Sequence, residues 1–247
     1  EGGGEGGDEE VTYDLSKWAA ATGAGAAEPP KSGEELADLY LEWMTKFRFN
    51  SVDDIFHQVD TDSFMKFKER LDTEIARTKE KNAKMSNNKK GKKKEQQQET
   101  HEEDDGSDPV IPFESVGNDP SCSMQLVGND ICRTGDDVER YHEEQTVNTL
   151  VLTLQKGRTV SGCVELAAKA QRLGWGLVAS VEPCHEASET MDDFIAHLAV
   201  GIKAGQFRGG GLGNGENVSK YNTLLRIATD ELQYVPYAGA KFRNFVA

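Results

Sequence analysis

Apolar residues recur at Leu36, Leu39, Tyr40, Trp43, Met44 and Phe47. Intervals of three and four place them on one stripe of a helix. Ser32-Gly33-Glu34-Glu35 fits a capping box at its start, with Ser32 capping the first turn and Glu35 reaching back. Residues 49–54 read as a short strand. Phe64, Phe67, Leu71 and Ile75 mark one face of a second helix. Further along, strands are predicted at 124–127, 150–154, 176–180 and 206–208. Helices are predicted at 136–145, 160–172, 191–203 and 216–231. Leu173-Gly174 supplies a glycine stop after one of them. Successive strands lie about 25 to 30 residues apart, the length of one βα unit. Alternation at that pitch predicts an α/β fold with a parallel sheet and helices outside it. Five units are visible, counting the strand at 49–54, against the eight of a closed (β/α)₈ barrel.

The alternation breaks between the second helix and the next strand. Residues 89–94 hold five lysines in six positions, Gln96 to Gln98 follow, and 102–105 are all acidic. No apolar face runs through them, so ordering them has nothing to offset its entropy. The expected organisation is a flexible Gly/Ala/Glu-rich lead-in at 1–30, a barrel part at 31–83, a disordered insertion at 84–119 and a second barrel part at 120–247. The hydrophobic share of 36% fits a chain that is not packed throughout.

Charge and cysteine content narrow the function classes. A net charge of −15 argues against nucleic acid as a partner. No apolar run approaches the roughly 18 residues of a membrane span. Cys122, Cys132, Cys163 and Cys184 show no CxxC pairing, which reads as reduced thiols in the cytoplasm. The opening glutamate and the five units lead to the expectation of a fragment, a processed product or an incomplete gene model.

Residues 174–227 read GWGLVASVEPCHEASETMDDFIAHLAVGIKAGQFRGGGLGNGENVSKYNTLLRI. This stretch resembles the last strand–helix units of the enolase superfamily. The likeness runs from about residue 13 to 227 around the insertion, and is strongest in SETMDDFIAHLAVGIKAGQ and SKYNTLLRI. It implies the C-terminal part of an enolase-type (β/α)₈ TIM barrel. The phrase GGGLGNGENVSKYNTLL is most similar to the divergent enolase 4-like proteins of sperm and motile cilia.

The resemblance also implies where chemistry belongs. Enolases take a proton from beside a carboxylate with a lysine base and Mg²⁺ held by carboxylates at strand ends. The family's SIEDPF reads Ser51-Val52-Asp53-Asp54-Ile55-Phe56, so Asp53 stands for a glutamate and is one methylene short. Strand-end surface charge is the plainer reading of Asp53 and Asp54. GDDL reads Gly128-Asn129-Asp130-Ile131, so Asn129 replaces a charged ligand. Asp130 next to it would point to the opposite face. LLLKVNQ falls on residues 150–156 and puts Thr153 where the lysine belongs. An alcohol has no useful basicity near neutral pH. Lys156, three residues on, would face the other way in a strand. His185 matches the family histidine if residues 181–184 are an insertion, and Glu186 then stands in place of arginine. Arg208 replaces the last lysine and keeps its charge.

Catalytic residues are therefore expected to be vestigial: Thr153, His185 and Arg208 as former catalytic positions, Glu186 and Arg208 as degenerate substrate positions, and Asp53 and Asn129 as former metal ligands. No cofactor is expected, and Mg²⁺ binding should be weak or absent. The implied role is non-catalytic and structural, within a larger assembly such as a ciliary or flagellar axoneme, in a family that is homodimeric. The alternative is an active phosphopyruvate hydratase, converting 2-phosphoglycerate to phosphoenolpyruvate in glycolysis, with an unusual site. Three further features read as structure. Cys184-His185 is a loop, Gly209 to Gly215 a strand-to-helix turn without GxGxxG spacing, and the lysine run a solvated segment.

Overall fold

A computed structural model describes residues 11–16, 29–47, 49, 51–92, 124–181 and 192–232. The chain forms two compact units, residues 1–49 with 56–113 and residues 50–55 with 114–247.

The first unit holds a two-residue antiparallel pair, β1 (Thr12–Tyr13) with β2 (Lys31–Ser32), which the sequence pattern did not announce. Helices α1 (Gly33–Lys46) and α2 (Thr61–Lys92) follow. The capping box on α1 forms as expected: Glu35 N–H donates to the Ser32 hydroxyl, and Ser32 N–H donates to the Glu35 carboxylate. Its buried line is Leu36, Ala37 and Met44, whereas Trp43 is 41% and Phe47 59% exposed. The apolar residues of α1 cover more than one face, and the core takes only one of them. Phe64, Phe67, Leu71 and Ile75 of α2 are all buried, as the spacing predicts. Phe56 meets both Phe64 and Phe67 edge to face, with centroids 5.3 and 5.9 Å apart.

Helix α2 runs to Lys92, past the boundary at 84 where disorder was expected. Alanine, lysine, glutamate and methionine between Ala76 and Met85 are good helix formers and extend the helix beyond its apolar face, whereas Ser86, Asn87, Asn88 and Gly91 are not, and propensity does not account for the last turns. The rest of the expected insertion lies outside the described residues, as does the lead-in except for residues 11–16 and 29–30.

The second unit carries five parallel strands, β3 (Ser51–Asp53), β4 (Gln125–Gly128), β5 (Thr149–Leu152), β6 (Gly176–Ser180) and β7 (Gln206–Arg208). Their spatial order is their chain order. A doubly wound sheet reverses its strand order at a switch point, and this one never does. With crossovers of one hand, monotonic order keeps the connecting helices on one face. That is the winding of a barrel, and the fold is the α/β architecture of part of a TIM barrel. Helices α3 (Gly135–Glu143), α4 (Leu154–Gly157), α5 (Val160–Arg172), α6 (Phe194–Gly201) and α7 (Gly215–Arg226) accompany the sheet. α7 runs on as a π-turn over Ile227–Glu231, closed by Leu232 N–H on the Ile227 carbonyl at 2.9 Å.

The pleat sorts the two faces. Leu126, Leu150, Leu152, Leu177 and Ala179 fall on one face, and all are buried. Gln125, Val127, Thr149, Val151 and Val178 fall on the other, where the three valines form a buried cluster. Two contacts cross this second face. The Gln125 amide donates to Gln206 Oε1 at 2.5 Å, and the Gln206 amide donates back at 3.3 Å. Linking β4 to β7 past two intervening strands requires a strongly curled sheet.

Candidate functional site

Parallel strands end on one side, so β3 to β7 deliver their last residues to a common rim. Barrel enzymes carry their chemistry at this rim. Asp53 closes β3 and Arg208 closes β7, the outermost strands of the sheet. Arg208 Nη2 donates to Asp53 Oδ2 at 2.5 Å across the mouth. The structure thus brings together Asp53, expected at the metal position, and Arg208, expected at a substrate position, as an ion pair in which each neutralises the other.

Asp54 does something different. Its backbone takes a left-handed φ of 42°, and its N–H donates to the Val127 carbonyl at 3.2 Å. Its carboxylate accepts the Asn129 N–H at 2.8 Å and the Asp130 N–H at 3.0 Å. Burial pushes its pKa above the usual aspartate range, and the two N–H groups offset only part of that. Asp54 fastens the loop after β4 to the end of β3, so it is more than the surface charge the sequence suggested.

Thr153 is 1% exposed. β5 has already ended at Leu152, two residues before the expected end of the strand. Thr153 caps the short helix α4, its hydroxyl accepting the Lys156 N–H at 3.3 Å. The position that would carry a lysine base in an enolase therefore starts a helical turn here.

That turn corrects the expectation for Lys156. Counted along a strand, Lys156 faces away. Carried on α4, it curls back over the end of β5. Its ammonium donates to the Asn129 carbonyl at 2.7 Å, to Asn129 Oδ1 at 2.9 Å and to the Val151 carbonyl at 2.8 Å. Three oxygens from the ends of β4 and β5 converge on one positive nitrogen. Period-two counting hid this residue. The signal that finds it is Thr153 as a cap followed by Gly157, a turn of helix too short to carry an apolar stripe.

A metal can be judged against these donors. Mg²⁺ seeks near-octahedral oxygens with carboxylate charge. Asp53 is held by a guanidinium, the Asp54 carboxylate is held by two backbone N–H groups, and the Asn129 amide oxygen is held by an ammonium. Among the described residues no group of three or more His, Cys, Asp or Glu side chains converges on one point. The donor set does not suit Mg²⁺. Asp130 lies two residues past the end of β4, and among the described residues its carboxylate takes a long 3.5 Å contact from the Asn129 amide.

His185 and Glu186 lie outside the described residues, as do Cys184 and Cys122. Cys132 is buried, and burial pushes its thiol up to about 12, so it is inert as a nucleophile. The glycine turn is closed by its own helix: the Asn217 amide donates to the Gly211 carbonyl and the Tyr221 hydroxyl to the Gly210 carbonyl, both at 2.8 Å. Gly210 has a φ of 81°, and a Cβ there would meet the Asn217 amide nitrogen at 2.3 Å. Its glycine is needed for the turn itself.

No helix among the described residues is long and apolar enough to cross a membrane. Residues 99–246 match the family model described as the enolase C-terminal TIM barrel domain. The chain is 38% identical over 107 residues to Enolase 2 of Hevea brasiliensis, covering 43% of this chain and 23% of that protein. It is 39% identical over 101 residues to Enolase of Solanum lycopersicum, covering 41% of this chain and 22% of that one. The matched part thus spans less than a quarter of the length of these relatives.

Proposed function

The chain belongs to the enolase family through its C-terminal TIM barrel domain, and we propose that it is a non-catalytic member with a structural role in a larger assembly. One observation carries the proposal. At the rim where the family's base and metal would act, Thr153 is a helix cap and the Lys156 ammonium occupies the oxygens of Asn129 and Val151. General acid–base catalysis contributes about 10² to 10⁴ in rate. Metal stabilisation of an anionic intermediate adds several kcal/mol. A site without either has no route to the family's dianionic intermediate. We propose that Mg²⁺ is not bound and that no other cofactor is used.

The packing residues support a retained fold: Ile195, Leu198 and Ala199 of α6 are buried, as are Lys220 and Thr223 of α7. The structural role is proposed to lie in a ciliary or flagellar axoneme, with other protein chains as partners. Its support is the likeness of GGGLGNGENVSKYNTLL to the enolase 4-like proteins.

The names of the similar plant proteins favour the other reading, an active phosphopyruvate hydratase with an unusual site. The deciding experiment incubates the protein with 2-phosphoglycerate in millimolar Mg²⁺ and follows phosphoenolpyruvate absorbance. The expected result is no rise. A turnover number of about 1 to 10³ per second would overturn the non-catalytic reading. Thr153→Lys alone is expected to leave the protein inactive, because it loses the cap on α4 and sets a second ammonium in a buried position near Lys156.

A further inference from the structure

Beside the barrel mouth, α3, α4 and α5 line a groove of about 950 Å³. Its basic lining residues are Arg133, Lys156, Arg158, Lys169 and Arg172, and its acidic ones are Asp130 and Glu165. The surplus is positive on a chain whose net charge is −15. Three of the cations are already engaged within the protein: Lys156 holds the strand-end oxygens, Lys169 bridges to Glu139 at 2.8 Å and to the Gly135 carbonyl at 3.1 Å, and Arg133 Nε donates to the Asp130 carbonyl at 3.2 Å. The three arginines are exposed, and none is within ion-pair distance of a carboxylate among the described residues.

Arg158 adds a detail. It caps α4 with a left-handed φ of 57°, a conformation that glycine adopts at less cost, and Gly157 stands one residue before it. The turn keeps a long cationic side chain where a smaller residue would fit the backbone better.

We propose that this groove binds an acidic, extended peptide segment of a partner protein. The spacing of the charges selects that occupant. Gly162, Glu165, Leu166, Lys169 and Arg172 recur at three and four along α5 and form one wall. From Gly162 to Arg172 the helix rises about 15 Å, the reach of four or five extended residues at about 3.3 Å each. Arg158 lies before the start of this wall and Arg172 at its far end. A compact phosphate needs donors that converge, whereas Arg158 and Arg172 stand at opposite ends of α5. Guanidinium forks take carboxylates in two-toothed pairs, which suits successive Asp or Glu side chains. Gly157 and Gly162 pack closely, a Cβ on Gly162 meeting the Gly157 carbonyl at 2.2 Å, and Leu166 is 7% exposed. The inference rests on the proposed structural role and gives it a contact surface, yet it uses none of Thr153, Asp53 and Asn129, the positions expected for base and metal.

The test measures fluorescence anisotropy of a labelled octaglutamate peptide with the full chain at low salt. Octaglutamine, and inorganic tripolyphosphate as a competitor, serve as further probes. Octaglutamate is expected to bind, octaglutamine not to bind, and affinity to fall as salt rises. Reversing two charges, Arg158→Glu with Arg172→Glu, is expected to weaken binding by about tenfold or more. Arg226→Glu, on α7 and outside the groove, is expected to leave it unchanged. Arg133→Glu, in the loop before α3, gives a second reading should the double variant fail to show the wild-type unfolding transition. No binding at low salt overturns the proposal. So does an equal loss with Arg226→Glu, or binding of tripolyphosphate without octaglutamate. Turnover of 2-phosphoglycerate would instead sink the non-catalytic reading and leave the groove standing.

Discussion

Asp54 holds two backbone N–H groups with a carboxylate whose pKa burial pushes up. A carboxyl with a folded-state pKa above its unfolded value binds its proton more tightly in the folded chain. Its contribution is fully present below the unfolded pKa and is lost as pH rises through the folded one. Asp54→Asn keeps one acceptor oxygen, tolerates the left-handed backbone and cannot ionise. The variant is therefore expected to gain stability relative to the wild type as pH climbs from the ordinary aspartate range through the raised value, and then to hold that gain. Urea midpoints at stepped pH from about 3 to about 7 test this. A wild type that gains on the variant with rising pH contradicts it. The same residue shows what the sequence could and could not say. The expectation for Thr153 and Asn129 came from letters alone, because a motif fixes which position should carry which group. That Asp54 fastens a loop was not legible. It depends on a positive φ and on which N–H groups come within 3 Å, and neither leaves a periodic mark.

At the level of elements, strands were read best where the apolar run is bounded by glycine or by a change of charge. The strands at Gly176–Ser180 and Gln206–Arg208 fall on the residues the pattern predicts. The one at Thr149–Leu152 stops short of expectation because Thr153 can satisfy a helix N–H and a strand cannot use that hydroxyl. Helix α2 outran its apolar face because the good helix formers between Ala76 and Met85 extend it past Ile75. The short helix α4 has a structural consequence of its own, because it delivers the Lys156 ammonium to the ends of β4 and β5. Lys156→Met would leave the Val151 and Asn129 carbonyls without that donor. An unsatisfied buried acceptor costs about 1 to 3 kcal/mol, and these are only partly buried, so a loss of about 2 kcal/mol in total is expected from urea unfolding. A loss within about 0.5 kcal/mol, the range of ordinary surface changes, would show that the ammonium is incidental there.

For the whole molecule, the outer edges of the sheet set how the chain meets other chains. β3 and β7 each have one strand neighbour among the described residues, and an edge strand offers its outer N–H and C=O groups to a further chain. Parallel sheets are ordinarily covered on both faces, and a parallel edge is a template for another chain. Opposing this is the net charge of −15, which keeps copies apart at low ionic strength. The two effects separate with salt. At about 0.15 M the screening length is about 8 Å, so repulsion between copies fades while hydrogen bonding at an edge does not. Residues 1–247 expressed alone are therefore expected to self-associate, and to do so more as salt is raised from low to physiological strength. Sedimentation velocity across that range reads the mass directly. A monodisperse species of 27.1 kDa at every salt concentration, unfolding in one cooperative transition, would mean that the edges need no partner. It would also remove one of the physical reasons for expecting this chain to work inside an assembly, leaving the basic groove between α3 and α5 as the surface on which that expectation rests.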